Sequence, residues 1–263
     1  MTKCDKCPSY AIIYQRYSGM HLCRTHFEED VHRKIREALR KTGLFGRGSR
    51  MALGLDGGQK SATLAFVLKN LFIRRRDIEL LAVIIDEGKR TRSGADQARR
   101  VAEQLGITYI VKSLPFGGDH ESSHSAQSAL KRELLSRTAA DNGAGILATG
   151  ETLDDEALEI FMAYLRGDLD ALALEGSLCE EQGVAWIKPL RRIPGKEVRL
   201  YALGHNLGFD EAGEMPNADA LRREAKELLC GFDCRHPGTN YSLLRGLEKV
   251  LSHDGGGKGK AFK

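Results

Sequence analysis

The chain lacks the features that would place it in a membrane or outside the cell. No apolar run comes near the roughly 18 residues that cross a bilayer, so no membrane span or membrane partner is expected. The opening Met1-Thr2-Lys3-Cys4 stretch has no charged-then-apolar secretory layout, which makes a cytoplasmic protein the simplest expectation. A strong excess of one charge is missing too: a net charge of +4 over 263 residues names no partner by itself. There is no internal repeat. The six cysteines are not spaced as a disulfide framework, which turns attention to metal binding.

What is present begins with that metal pattern. Cys4, Cys7, Cys23 and His26 follow C-x2-C…C-x2-H within residues 1–30. Four such donors with no spare position suit a tetrahedral zinc held for structure. A segment this short has little core of its own, so metal binding supplies its folding free energy. A helix and glycine-rich linker follow over 31–48, with Val31, Ile35 and Leu39 on one face.

Residues 49–195 then alternate short apolar runs with helical patterns. Strands are expected at Met51–Leu55, Leu80–Ile85, Ile107–Val111 and Gly145–Gly150, with helices between them. That order implies an α/β fold, a parallel sheet covered on both faces, with ligands outside the carboxyl ends of the strands. Residues 196–252 read as helical, and the Gly/Lys-rich tail 253–263 as disordered. Arg47, Arg50, Arg74, Arg75, Arg76, Lys89, Arg90, Arg92, Arg99 and Arg100 crowd the first half, a pattern that fits solvated helix ends and a nucleic-acid surface equally.

Two loops at strand ends carry candidate chemistry. In Asp56-Gly57-Gly58-Gln59-Lys60-Ser61 the glycines let backbone N–H groups converge, Ser61 adds a hydroxyl, and the helix start adds its positive end. The same pattern also describes a plain tight turn. It is not G-x4-G-K-[ST], so a Walker-type NTPase is excluded. In Gly150-Glu151-Thr152-Leu153-Asp154-Asp155-Glu156, adjacent carboxylates either hold magnesium or cap a helix. Lys188-Pro189-Leu190-Arg191-Arg192 is basic and stiffened by proline, either an exposed loop or a phosphate contact.

Together these segments resemble the tRNA 2-thiolation enzymes of the PP-loop (N-type ATP pyrophosphatase) family, from Cys4 to about Val250. The resemblance rests on the knuckle, on Asp56 to Ser61, on Ile85-Asp86-Glu87-Gly88 and on Ala148-Thr149-Gly150 with Leu153-Asp154-Asp155-Glu156-Ala157. Leu165-Arg166-Gly167-Asp168, Lys188-Pro189-Leu190-Arg191, Glu197-Val198 with Tyr201-Ala202, and His236-Pro237-Gly238-Thr239 extend it in the family's own order. It implies a doubly wound PP-loop sheet, ATP-dependent adenylation of a tRNA uridine and sulfur transfer. It also implies a ubiquitin-like sulfur carrier as partner, and a homodimer or a heterodimer with a paralogue. Asp56, Gly57, Gly58, Lys60, Ser61, Asp86 and Gly150 would then bind ATP with magnesium, while Asp154 and Lys131 serve catalysis.

The sequence departs from that family at the chemistry. The family loop reads Ser-Gly-Gly-Lys-Asp-Ser, whereas here Asp56 replaces the first serine, Gln59 the lysine and Lys60 the aspartate. Neighbouring residues at a helix start point about 100° apart, so Lys60 cannot simply stand in for the displaced lysine. The family's three sulfur-handling cysteines fall on His124, Gln127 and Met215, and on that ground no iron–sulfur cluster is expected. Lys131 and Arg132 match its basic pair. The alternative function is a catalytically impaired paralogue serving as a tRNA-binding or heterodimeric partner subunit. Cys230 and Cys234 would lie one helical turn apart, either as ordinary buried cysteines or as a metal or sulfur site.

Overall fold

The computed structural model describes residues 2–44, 48–86, 88, 94–114, 124–168, 170–172, 179–207 and 220–254. The chain forms two compact units that interleave along the sequence. One comprises Met1–Arg33, Leu153–Leu178 and Ala220–Lys263, and the other Lys34–Thr152 and Cys179–Asp219.

The first unit opens with an antiparallel ribbon, β1 (Ile13–Gln15) and β2 (Met20–Leu22), paired Tyr14 to His21. Helix α1 (Arg24–Thr42) starts directly behind Cys23, with Phe27, Val31, Ile35 and Leu39 buried on one side. This is the stripe their four-residue spacing dictates. Helix α5 (Leu153–Arg166) packs in the same unit with α7 (Ala220–Arg235) and α8 (Thr239–Asp254). Leu153, Ile160 and Ala163 meet Leu244 and Leu247, while Leu158 and Met162 meet Ala225 and Leu229.

The second unit is built on a six-stranded sheet, ordered β5-β4-β3-β6-β8-β7. Its strands are β3 (Ser49–Leu55), β4 (Ile78–Asp86), β5 (Thr108–Ser113), β6 (Ile146–Ala148), β7 (Cys179–Glu181) and β8 (Val184–Ile187). All neighbours are parallel except β7 and β8. Helices α2 (Gln59–Phe72), α3 (Gly94–Gln104), α4 (His124–Asp141) and α6 (Gly195–Gly204) belong to this unit. Ala52, Val83 and Leu147 of the sheet pack against Ala139 of α4, a small-residue core that lets helix and strands approach closely.

The chain leaves β3 for β4 and β5 on one side, then returns for β6, β8 and β7 on the other. The order therefore reverses between β3 and β6, where such sheets place ligands beyond the strand ends. The β7–β8 hairpin has no counterpart among the strands expected from sequence. Its two-residue turn is Gln182-Gly183, both with positive φ, and Gln at the first position is not the Asn or Asp that usually signals such a turn. The connector at 45–47, Met215 and the tail beyond Asp254 lie outside the described residues, as do the side chains of His124 and Gln127.

Candidate nucleotide and metal sites

At the end of β3 the chain turns through Asp56, Gly57 and Gly58 into α2. Gly57 has φ +82°, and a Cβ there would overlap the carbonyl of Gly94 at the start of α3. Across the switch point, a Cβ on Gly150 would meet the backbone N of Ser61 at 3.0 Å and the carbonyl carbon of Lys60 at 3.1 Å. Backbones from three segments thus converge at the mouth of the sheet, and only glycine allows it. Gly94 was not singled out in the sequence, because its role is a contact with a residue far away in the chain.

The Asp56 carboxylate folds back over this loop. Its Oδ1 accepts the N–H of Gly58 at 2.9 Å and the Ser61 hydroxyl in a very short hydrogen bond. Among the described residues no side-chain hydrogen bond caps the start of α2 at Gly58. Two donors of the loop, the Gly58 N–H and the Ser61 hydroxyl, are therefore engaged by the Asp56 carboxylate. Asp86, at the end of β4, accepts the N–H of Gly88 at 3.0 Å and faces Arg99 at 4.0 Å.

Lys131 and Arg132 both sit on α4, and Arg132 has structural partners. Its Nε lies 2.8 Å from Glu181 Oε1, and its guanidinium stands 4.8 Å from the centre of the Trp186 ring. Trp186 in turn donates its indole N–H to Thr149 Oγ1 at 2.6 Å. This network ties α4 to the hairpin and to the end of β6.

Asp154 belongs to the first unit, as does the knuckle, whereas the glycine loop belongs to the second. Asp154 is exposed in the first turn of α5 and accepts the side-chain N–H of Asn240 at 3.0 Å. The His236-Pro237-Gly238-Thr239 segment makes this contact available. Gly238 takes φ +98°, its N–H goes to Asp233 Oδ1 at 3.1 Å, and α8 then starts with Asn240 in place. Cys230 and Cys234 on α7 are exposed, which corrects the reading as buried cysteines: the helix packs on α5 through Ala225 and Leu229 instead. The Cys230 thiol is pushed up by burial of its sulfur, then by Cys234, Asp154 and Asp233 nearby.

At the N-terminus, ligand atoms of Cys4, Cys7, Cys23 and His26 lie within 4.8 Å of one another. The Sγ atoms of Cys7 and Cys23 are 3.6 Å apart, and His26 Nδ1 is 3.4 Å from Cys4 Sγ and 3.3 Å from Cys23 Sγ. A tetrahedron with Zn–S near 2.3 Å and Zn–N near 2.05 Å has edges of about 3.8 Å and about 3.5 Å. The donor set therefore has the dimensions of a single tetrahedral ion, with Nδ1 as the histidine ligand. Burial works against ionisation of Cys4, but the backbone amides of Cys23 and Lys6 with His26 and Cys23 bring it down to about 6. The Cys23 thiol goes the other way: the His26 amide favours its thiolate, but burial and the Cys7 and Cys4 sulfurs prevail. Adjacent thiolates repel unless a cation lies between them.

A PP-loop domain model matches residues 27–245, most of the chain, and an N-terminal LIM domain model of the 2-thiouridine synthetase TtuA matches residues 3–28. The chain belongs to the PP-loop family of tRNA 2-thiolation proteins. The tRNA 2-thiolation protein NcsA of Haloferax volcanii is 32% identical over 94% of this chain and 86% of its own length. The tRNA-5-methyluridine(54) 2-sulfurtransferase of Pyrococcus horikoshii is 30% identical over 94% of this chain and 82% of its own. Among solved structures, the U34-tRNA thiolase NcsA from Methanococcus maripaludis with its [4Fe-4S] cluster superposes with a TM-score of 0.88. It is 29% identical, covering 96% of this chain and 88% of that one.

This last relative of the PP-loop thiolation family overturns the expectation that no iron–sulfur cluster goes with such a chain. That expectation rested on His124, Gln127 and Met215 alone. Loss of thiolates at chosen positions says nothing of the chain's other cysteines.

Proposed function

We propose that the protein installs sulfur at C2 of a tRNA uridine, at the expense of ATP. The observation that carries the proposal is the glycine-lined loop at the β3–β6 switch point, within a chain of the thiolation family. The C2 carbonyl oxygen of a uridine leaves poorly until it carries a phosphoryl group. Attack of that oxygen on the α-phosphorus of ATP forms the adenylate and releases pyrophosphate. A sulfur nucleophile then adds to C2, and AMP departs with the former carbonyl oxygen.

In this reading Gly57, Gly58 and Ser61 receive the phosphates, with Gly150 closing the site by its approach to the Lys60–Ser61 backbone. Lys60 and Lys131 neutralise charge on the phosphates. Asp86 stands at the neighbouring strand end to orient the nucleoside, and Asp154 holds magnesium. Zinc occupies the knuckle for structure, as its edge lengths suit. The sulfur comes from a ubiquitin-like carrier, and the protein works as a dimer in the cytoplasm. Reduced Cys4, Cys7 and Cys23 at a metal site suit that compartment. Among the described residues no helix is long and apolar enough to cross a membrane.

The test is the 2-thiouridine content of tRNA, read at the wobble and T-loop positions, from a deletion strain. Rescue by the wild-type gene and not by Asp154→Ala is the expected result. Unchanged 2-thiouridine in the deletion strain would overturn the proposal.

A further inference from the structure

The metal knuckle presents an unusual outer surface. Gln15 of β1, with Leu22 on the partner strand, is buried, while Tyr14 of β1 and, just before the strand, Tyr10 and Ile12 are exposed. Tyr10, Ile12 and Tyr14 are 62%, 49% and 49% exposed, and Arg16, directly after β1, is exposed too. Half-solvated ribbons ordinarily place polar residues on such a face. Tyr14 is backed by its cross-strand partner His21, ring centroids 4.5 Å apart and planes inclined by 22°, a stacked pair. The His21 backbone N–H is held by Asp5 Oδ2 at 2.6 Å, which fixes the ring that supports Tyr14. Lys3 bridges to Tyr10, and Lys3, Lys6 and Arg16 are all exposed, against the single carboxylate of Asp5.

A rigid aromatic face flanked by cations matches one ligand chemistry well. Unpaired nucleobases stack on tyrosine regardless of sequence, while neighbouring lysines and arginines meet the phosphates on either side. A duplex would offer no base face to Tyr14. We infer that the outer face of β1–β2 is a stacking platform for an unpaired base of the RNA substrate. Tyr14, braced by His21, is the principal stacking ring, Tyr10 a second, and Lys3 and Arg16 are the phosphate contacts. The metal contributes by holding a ribbon of three-residue strands that would not be stable alone. This rests on the reading of the protein as a tRNA-modifying one.

The experiment uses the full-length, zinc-loaded protein, with fluorescence anisotropy of a labelled oligouridine and of transfer RNA. Tyr14→Ala is expected to weaken oligouridine binding by about 5- to 150-fold, the range base–aromatic stacking spans. Tyr14→Trp is expected to keep wild-type binding, and the salt dependence of both variants should stay as in wild type. Lys3→Ala with Arg16→Ala should instead lower the salt slope by about 1.4, near 0.7 per phosphate contact on a single strand. Zinc stoichiometry of each variant separates a lost ring from a lost knuckle. If wild type binds transfer RNA and Tyr14→Ala binds both ligands equally well, the platform is refuted, and the face serves another partner or none. If wild type binds no RNA at all, the functional reading fails first.

Discussion

Replacing Asp56 with serine should tighten ATP binding. The Asp56 carboxylate accepts the Gly58 N–H at 2.9 Å and also the Ser61 hydroxyl, so an incoming phosphate must share or displace it. Two anions served by one donor sit about 5 Å apart. Their repulsion is then about 0.8 kcal/mol at the permittivity of water and about 3.3 kcal/mol at an effective value near 20. Asp56 is exposed, which favours the lower figure. Removing the charge should therefore lower the Kd for ATP by about 4-fold, with about 250-fold as the ceiling. Asp56→Asn keeps an acceptor oxygen and should reproduce most of the gain. Isothermal titration calorimetry with a non-hydrolysable ATP analogue, with and without magnesium, reads both variants. Weaker binding in both variants only when magnesium is present would refute the reasoning. It would show that the carboxylate holds the metal rather than opposing the phosphate.

Gly57→Ala should destabilise the protein well beyond Gly143→Ala in thermal unfolding. Both glycines have positive φ, but an added methyl at Gly143 meets nothing within 4 Å, whereas at Gly57 it overlaps Gly94. The first should exceed about 4 kcal/mol and the second stay near 1–2 kcal/mol. Cys230, with its thiol raised, should alkylate with iodoacetamide only at higher pH than a free thiol, since the reactive thiolate forms later as pH rises. Asp154→Asn removes one of the charges opposing that thiolate and should move the onset to lower pH. Chelation should remove one metal ion per chain and expose Cys4, Cys7 and Cys23 to thiol reagents, followed by mass spectrometry. Protection of these cysteines after metal removal would contradict a metal-dependent knuckle.

Much of the fold was legible because its signals are local. The apolar runs at Met51–Leu55 and Leu80–Ile85 needed no context to read as buried strands, and both lie within strands of the sheet. The four metal donors were recognisable from two short spacings. What escaped depends on residues distant in sequence. Gly94 matters through Gly57, Arg132 through Glu181 and Trp186, and Asn240 through Asp154. The reversal of charge order in the loop was visible in Asp56 to Ser61, but that Asp56 would turn inward onto Gly58 and Ser61 follows only from the backbone path. The exposed Cys230 and Cys234 show the limit of composition: cysteine is usually buried, and only the packing of α7 shows which face it leaves outside.

The central claim is that this loop activates a tRNA uridine with ATP. Its most direct test is AMP release by the purified, metal-loaded protein supplied with ATP, magnesium, a sulfide source and unmodified transfer RNA. The account predicts AMP formed only when transfer RNA is present, in step with 2-thiouridine detected by mass spectrometry. No AMP under these conditions, with transfer RNA still bound, would contradict it and leave the protein as a partner subunit without turnover.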